Sequence, residues 1–441
     1  MDTPPSALDR INRWIRDSVS VKLLSMGLLT LLLLIPSALI RNLINERNDT
    51  RSEAVAEVQH KWGSRQQLTG PILIVPYQEL HVTDDDTIVE QTHYAYFLPE
   101  SLDVDGAIST DVLYRGIYEV IVYNSTLTIS GNFARPNFTE WPIEEDRILW
   151  QDAVLAIGIA QPQGVTDTVT LHWQDDQFAF DAGVESQDVL VRGMSVRVPL
   201  HGEGPYSYRF DLGLNGSEAL NFAPVGKETT VRLASAWTTP SFDGAFLPDN
   251  RIVSKDGFTA NWHVLDLNRS YPQKWRNEIR GIHESAFGVT LLVPVDQYQK
   301  SLRAAKYAIL VIVFTFLTFF LVEVHYDERA HPFQYLLIGF ALCLFYTLLV
   351  ALSEQISFDL AYLLSALATI GLIAAYVRSV FQARHLSLVT GGVLGVLYGF
   401  VFFVLQLEDY ALLAGSIGLL VALALTMFLT RSVNWFATGS G

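Results

Sequence analysis

The sequence predicts an integral membrane α-helical bundle of six transmembrane helices, with a large all-β, sandwich-like domain inserted between helices 1 and 2. Three observations carry this. Half of the residues are hydrophobic and 17% are charged, where about a quarter is usual in a soluble chain. The apolar residues crowd one stretch near the start and the last third. The stretch between them reads as short strands with turn chemistry.

A spanning helix needs about 20 mostly apolar residues. Val21–Ile40, Tyr307–Val324, Phe333–Leu352, Phe358–Val377, Leu386–Leu407 and Tyr410–Leu429 qualify, with only Lys22, Glu323 and Asp359 charged inside them. All three lie near an end, where a charged head reaches the interface. The first run follows Arg10, Arg13 and Arg16 but is longer than a signal-peptide core, and Pro36 to Arg41 offers no small-x-small cleavage site. It is read as an uncleaved anchor.

Lys and Arg are retained on the cytoplasmic side of short loops. With the N-terminus inside, Arg10, Arg13, Arg16, Lys22, Arg329, Arg378, Arg384 and Arg431 are cytoplasmic, while Ser353–Ser357 and the Glu408-Asp409 turn hold no base. The expected order is a cytoplasmic segment 1–20, span 21–40, an exported domain 41–306, five spans over 307–430 and a cytoplasmic tail 431–441. The end, Ala437 to Gly441, has the composition of a flexible or appended tail.

The chain has 46 acidic and 30 basic residues, a net charge of −16. Residues 41–306 hold 36 and 22 of them, so −14 of the charge belongs to the exported domain. Nucleic acid, which is bound through phosphate attraction, is excluded as a partner. The single cysteine, Cys343, sits in an apolar run, so neither an intrachain disulfide nor a cysteine-based zinc site can form.

Inside the exported domain, Val55, Val58 and Trp62 recur at helical spacing, predicting a juxtamembrane helix from Arg41 to Arg65. Strands follow: Ile72–Val75 ended by Pro76, then Thr87–Phe97, Ile117–Val122 and Ser125–Ser130. Thr170–Trp173 and Phe178–Phe180 flank Asp175-Asp176. Phe210, Leu212 and Leu214 alternate up to Asn215-Gly216, a hairpin signal. Val231–Ala236, Phe258–Val264 and Val289–Val293 complete an antiparallel domain of one or two sandwiches, with a helical interruption near Glu144–Ile157. Ile72 to Pro76 echoes Leu291 to Pro294, and Tyr96 to Pro99 echoes Ala245 to Pro248, which hints at a duplication.

No Gly-x-Ser-x-Gly elbow, His-Glu-x-x-His helix, P-loop, dinucleotide fingerprint or Ser-x-x-Lys pair occurs. His283-Glu284 lacks the second histidine of a metalloprotease helix. Asp84-Asp85-Asp86 and Glu144-Glu145-Asp146 lack the alternating spacing of a calcium loop and read as solvated. No catalytic residue, cofactor or metal is assigned.

Polar groups at the spans are better candidates, because a polar group near lipid needs a partner or water. Glu323 and His331 would make a proton-sensitive pair, or Glu323 would pair with Arg329 or a lipid amine; Gln334 and Tyr335 open the third span and Glu354 closes it. No span carries a charge near its midplane, which argues against ion-coupled transport. Gly391, Gly395 and Gly399 form one small-residue face, as do Ala414, Gly418 and Ala422. These faces predict close packing of the last two helices or of helices across a homo-oligomer.

Several stretches carry a family likeness: Leu68 to Ile72, Phe97 to Leu102, Trp237 through Pro240 to Pro248, Asp296-Gln297-Tyr298, and Ala305 to Leu310. They continue with His331 to Leu337, Ala351 to Glu354 and Phe428 to Arg431. In that order, over residues 21–436, the chain resembles the CreD family. The resemblance implies an inner membrane protein of Gram-negative bacteria with a periplasmic middle domain. It further implies production under a two-component regulator and a link to envelope integrity and cell-wall antibiotic stress. It supplies no catalytic residues; Asp296, Gln297, Tyr298, Glu323, His331, Gln334, Tyr335 and Glu354 are candidates by position and polarity. The expected function is non-catalytic binding of an envelope protein or an amphiphile through the exported domain, beside membrane lipid. The alternatives are lipid handling or transport by the C-terminal helix bundle and an envelope-modifying enzyme.

Overall fold

The computed structural model describes residues 19–82, 88–185, 189–276, 281–291, 297–326, 331–382, 384–407 and 410–431. The basic N-terminal segment, Asp84 to Asp86, Asp296, Asp327 to Arg329, the Glu408-Asp409 turn and the tail from Ala437 lie outside them. The chain forms two compact units, Met1–Arg51 with Val295–Gly441, and Ser52–Pro294.

The first unit is helical. It contains the part of α1 (Val19–Trp62) up to Arg51, then α2 (Gln297–Lys306), α3 (Ala308–Tyr326), α4 (Pro332–Ser353), α5 (Phe358–Phe381), α6 (Arg384–Gln406) and α7 (Ala411–Thr430). Among the described residues five helices are long and apolar enough to cross a membrane, or six if the α2–α3 pair, bent by 42°, is one span. The seam of α1 is Met26, Leu33, Ser37, Ile40 and Ile44, buried at steps of three, four and seven. It closes onto α4 where Gly339 has no side chain, since a Cβ there would lie 2.2 Å from Leu33 Cδ1. One turn on, Ser37 Oγ lies 3.9 Å from Cys343 Sγ.

The second unit is two sheets around one core. The strands are β1 (Gln66–Val82), β2 (Ile88–Phe97), β3 (Ser101–Arg115), β4 (Tyr118–Phe133), β5 (Val154–Ile159), β6 (Thr170–Trp173), β7 (Asp176–Ala179), β8 (Asp181–Ala182) and β9 (Gly193–Arg197). There follow β10 (Tyr206–Ser217), β11 (Ala219–Phe222), β12 (Glu228–Ser235), β13 (Pro240–Gly244), β14 (Asn250–Ser254), β15 (Gly257–Leu265), β16 (Lys274–Arg276) and β17 (Phe287–Leu291). One sheet runs β13-β17-β11-β1-β5-β9-β8, with β2 also paired to β1 and β16 to β2; the other runs β14-β15-β12-β3-β4-β10-β6-β7. Period-two alternation turns Val104 and Ile108 of β3, Val231 and Leu233 of β12, and Trp262 of β15 into the core. There Trp262 meets Phe287 of the other sheet at 5.7 Å.

Pairing is antiparallel except at β1/β11 and β3/β12, which are parallel. The chain therefore traces one path twice. β1 enters the first sheet, β3–β4 form a hairpin in the second, and β5 returns beside β1; β11, β12–β15 and β17 repeat this. The repeat is one of topology, and neither sequence echo follows it: the first sets β1 against Leu291 of β17 and residues outside the described ones, and the second sets the end of β2 against residues after β13.

Four local expectations are corrected. β1 does not stop at Pro76: its pairing with β5 ends at Ile74, so Pro76, which has no N–H, lies past that ladder while β2 continues opposite. Asn215-Gly216 is no hairpin, since β10 runs through it opposite Asn124 and Tyr123. Gly216 is required there because a Cβ would lie 2.4 Å from the Tyr123 hydroxyl. The predicted helix at 144–157 is two three-residue turns followed by β5, whose six residues are all buried; a short apolar run does not distinguish helix from central strand. The juxtamembrane helix ends at Trp62, where Gly63 takes φ +124.

Candidate functional site

At one end of the helical unit the first turn of α4 is fixed by a cap. His331 Nδ1 accepts from Phe333 N at 3.2 Å, and Gln334 Oε1 accepts from His331 N at 3.0 Å. Pro332 at the first helical position lacks the N–H that would go unpaired there. The cap aims Tyr335 at α3, where its hydroxyl donates to Glu323 Oε2 at 2.9 Å. Both residues are 4% exposed. Phe316 and Phe319 stand edge-on to the Tyr335 ring at 5.5 and 6.0 Å. Of the candidates, then, Glu323 and Tyr335 form the buried pair, while His331 and Gln334 position it. The beside-lying cleft, lined by Phe319, Ile338, Tyr376 and Val377 among others, has a volume of only about 10 Å³, room for roughly one water.

At the other end of α4, Glu354 caps the helix and Tyr298 of α2 donates to its Oε1 at 2.9 Å, with Arg47 Nε of α1 at 3.8 Å from the same oxygen. This clamp ties α1, α2 and α4 together. Arg303 of α2 donates to Leu407 O at 2.9 Å, closing the end of α6. Gln297 is exposed at the start of α2. The clamp and the buried pair sit at opposite ends of α4, so the sequence candidates form two constellations.

The small-residue faces divide. Gly418 of α7 meets Phe400 of α6, whose ring a Cβ would approach to 2.1 Å, and Ala414 and Ala422 lie one turn to either side of it. A Cβ added at Gly391 would lie 3.8 Å from Ala374 Cβ of α5, and one added at Gly395 or Gly399 would meet nothing described within 4 Å outside its own helix. The buried face of α6 is Leu386, Thr390, Leu394 and Tyr398, and the glycines lie one residue, about 100°, round from it.

The β unit carries a feature that sequence reasoning did not single out. On the outer face of the second sheet, Thr126, Ala107, Ala234, Thr259 and Ile252 are successive register partners across β4, β3, β12, β15 and β14. Two residues along each strand, Thr128, Asp105, Arg232, Asn261 and Asn250 form a second row. A row of small and apolar side chains with an alanine floor thus lies beside a polar row, and all of these but Thr128, together with Arg251, line an open groove of about 530 Å³. Arg232 bonds both Asp105 oxygens, at 2.5 and 2.8 Å, and lies 3.9 Å from Asp103. Its hydrogen bond holds the Asp105 carboxyl below the usual carboxylate range, the guanidinium charge adding to this. Asn261 Oδ1 is buried without a hydrogen-bond partner. The legible signal was the outward half of each strand's alternation; which outward residues are neighbours depends on register.

Among the described residues no three His, Cys, Asp or Glu side chains gather as a metal site. Glu144 is paired with Arg147 at 3.1 Å, and His283 Nδ1 lies 3.0 Å from Gln67 Nε2.

The family model described as inner membrane protein CreD matches residues 18–436. The inner membrane protein CreD of Escherichia coli (strain K12) is 34% identical over 417 residues, covering 92% of this chain and 91% of the relative. On that match, continuous through both units, the chain belongs to the CreD family of inner membrane proteins.

Proposed function

We propose that the chain crosses the inner membrane six times with both termini cytoplasmic and residues 41–306 in the periplasm, and that its β unit binds an amphiphile without transforming it. Binding of this kind would be its contribution to envelope integrity. The orientation rests on the one-sided placement of Lys and Arg. The observation that carries the binding role is the groove. At about 530 Å³ it falls in the size range of small-molecule sites, and its paired rows offer an apolar bed and a polar edge. The cleft beside Tyr335, with room for roughly one water, gives no comparable support to lipid handling by the helices.

The test is a photo-crosslinking residue at position 234 in the whole protein, in cells. A covalent adduct whose mass is that of an envelope amphiphile is expected. Adducts with water alone, or with a protein alone, overturn the reading.

A further inference from the structure

We infer that β14, the outer strand of the second sheet, is the edge by which two copies of this chain pair antiparallel about a two-fold axis at Ile252. The two sheets end in β13 and β8, and in β14 and β7. Edge strands are ordinarily kept from pairing by proline, by charge or by shortness. β13 opens on Pro240, β8 has only two residues, and β7 is bracketed by Asp175, Asp176 and Asp181. β14 is the exception. Its five residues are all exposed, Ile252 by 70% and Val253 by 50%. Its one charge, Arg251, has its guanidinium over the Phe242 ring at 5.8 Å and so lies against its own chain.

The register follows from the hairpin. β14 and β15 are joined by Lys255-Asp256, and their pairing closes at Ser254 opposite Gly257. The pair that closes a two-residue loop exchanges both of its backbone bonds, and such pairs alternate along the ladder. Ser254, Ile252 and Asn250 therefore turn their N–H and C=O toward β15, while Arg251 and Val253 turn theirs outward. With the axis at Ile252, Arg251 of each copy stands opposite Val253 of the other, outward groups against outward groups. Centring the axis on Arg251 would set the two guanidiniums opposite each other, and centring it on Val253 would set Arg251 opposite Lys255, both unfavourable. At Ile252, by contrast, Asp249 of each copy faces Lys255 of the other. Neither has an ion pair among the described residues. The exported domain carries a charge of −14, which keeps copies apart in general, but Asp249–Asp256 holds two acids and two bases and is neutral.

On the outer face Ile252 abuts Ile252 of the second copy, so the row from Thr126 to Ile252 continues into its counterpart and the two grooves join. A five-residue strand is well short of the roughly 20–30 residues a side of a standard interface. The pairing is accordingly weak between free copies and depends on both being held in one membrane, which raises their effective concentration.

The test is disulfide crosslinking of the full chain in membranes with an added oxidant; the native Cys343 is buried, and the parent chain is the blank. Ile252→Cys should give a linked dimer, because its Cα atoms stand about 4.5 Å apart across the axis. Val253→Cys should give at least tenfold less, its two copies being displaced by about 6.8 Å along the strands as well as across them. In the Ile252→Cys chain, Val253→Pro removes an N–H that β15 does not use and should lower the yield at least fivefold. Lys255→Glu should also lower it, and adding Asp249→Lys should restore it, which misfolding could not do. Absence of the Ile252→Cys dimer, equal yields at 252 and 253, or failure of the charge swap to restore the yield overturns the inference. A crosslink from Ile252→Cys to a different protein in place of a second copy also overturns it.

Discussion

Replacing Tyr335 with Phe removes one oxygen from the interior of the helical unit and leaves Glu323, 4% exposed, without the hydroxyl 2.9 Å from its Oε2. Hydrogen bonds to charged groups contribute about 1.5–3 kcal/mol, whereas interhelical hydrogen bonds in membranes average about 0.6 and reach about 1.7. A carboxyl partner and near-complete burial place this bond at the upper end of the membrane range. Tyr335→Phe should therefore cost about 1.5 kcal/mol, a tenfold shift in the unfolding equilibrium. The internal control is Tyr346→Phe. Tyr346 is equally buried, but its hydroxyl has no hydrogen-bond partner among the described residues, so losing it should cost nothing or stabilise slightly. Both variants, with Glu323→Gln and the double variant, would be unfolded by denaturant in lipid discs. The cycle should show that Tyr335→Phe costs less once Glu323 is already Gln. Equal effects at Tyr335 and Tyr346, or strict additivity of the cycle, would refute the assignment of a buried hydrogen-bonded pair.

Other consequences follow from the same geometry. Gly339→Leu forces α4 off Leu33 and should destabilise the helical unit by about 1–3 kcal/mol, with Leu33→Ala in the same chain restoring part of it in a thermal melt. Trp262→Ala opens the shared core of the sheets and should cost about 3–5 kcal/mol, read as faster proteolysis within the β unit; unchanged proteolysis would contradict a single core. Because the Asp105 carboxyl is held low by Arg232, its folded value lies below the unfolded one. The pair's contribution is thus full at neutral pH and fades as pH falls below the usual carboxylate range; Asp105→Asn should remove that acid-side dependence from groove binding. A cysteine at Leu267, 88% exposed, should react with an impermeant maleimide from the periplasmic side, whereas protection there would invert the topology.

What the sequence made legible was what depends on local pattern. Apolar runs of spanning length became helices, and the alternation at Phe210, Leu212 and Leu214 became the buried face of β10. Pattern failed where a long-range partner decides. Val154–Ile159 is a strand because β1 and β9 flank it, and Asn215-Gly216 stays extended because β4 continues opposite. β3 was not anticipated at all: with Asp103, Asp105 and Gly106 inside it, its propensity is poor, and it is held by β4 on one side and β12 on the other. For the candidate residues, Glu323 and Tyr335 were found by polarity at helix ends, while their mutual contact needed the capped turn at His331. The groove could not be read because its rows are assembled from five strands, two of which join halves of the chain that lie far apart.

The most direct test of an amphiphile-binding β unit is mass spectrometry of the whole protein extracted in native lipid discs, compared with Ala234→Trp prepared in the same way. An amphiphile enriched over bulk membrane in the wild type and lost from the variant is the predicted result. Identical lipid content in the two samples would contradict it.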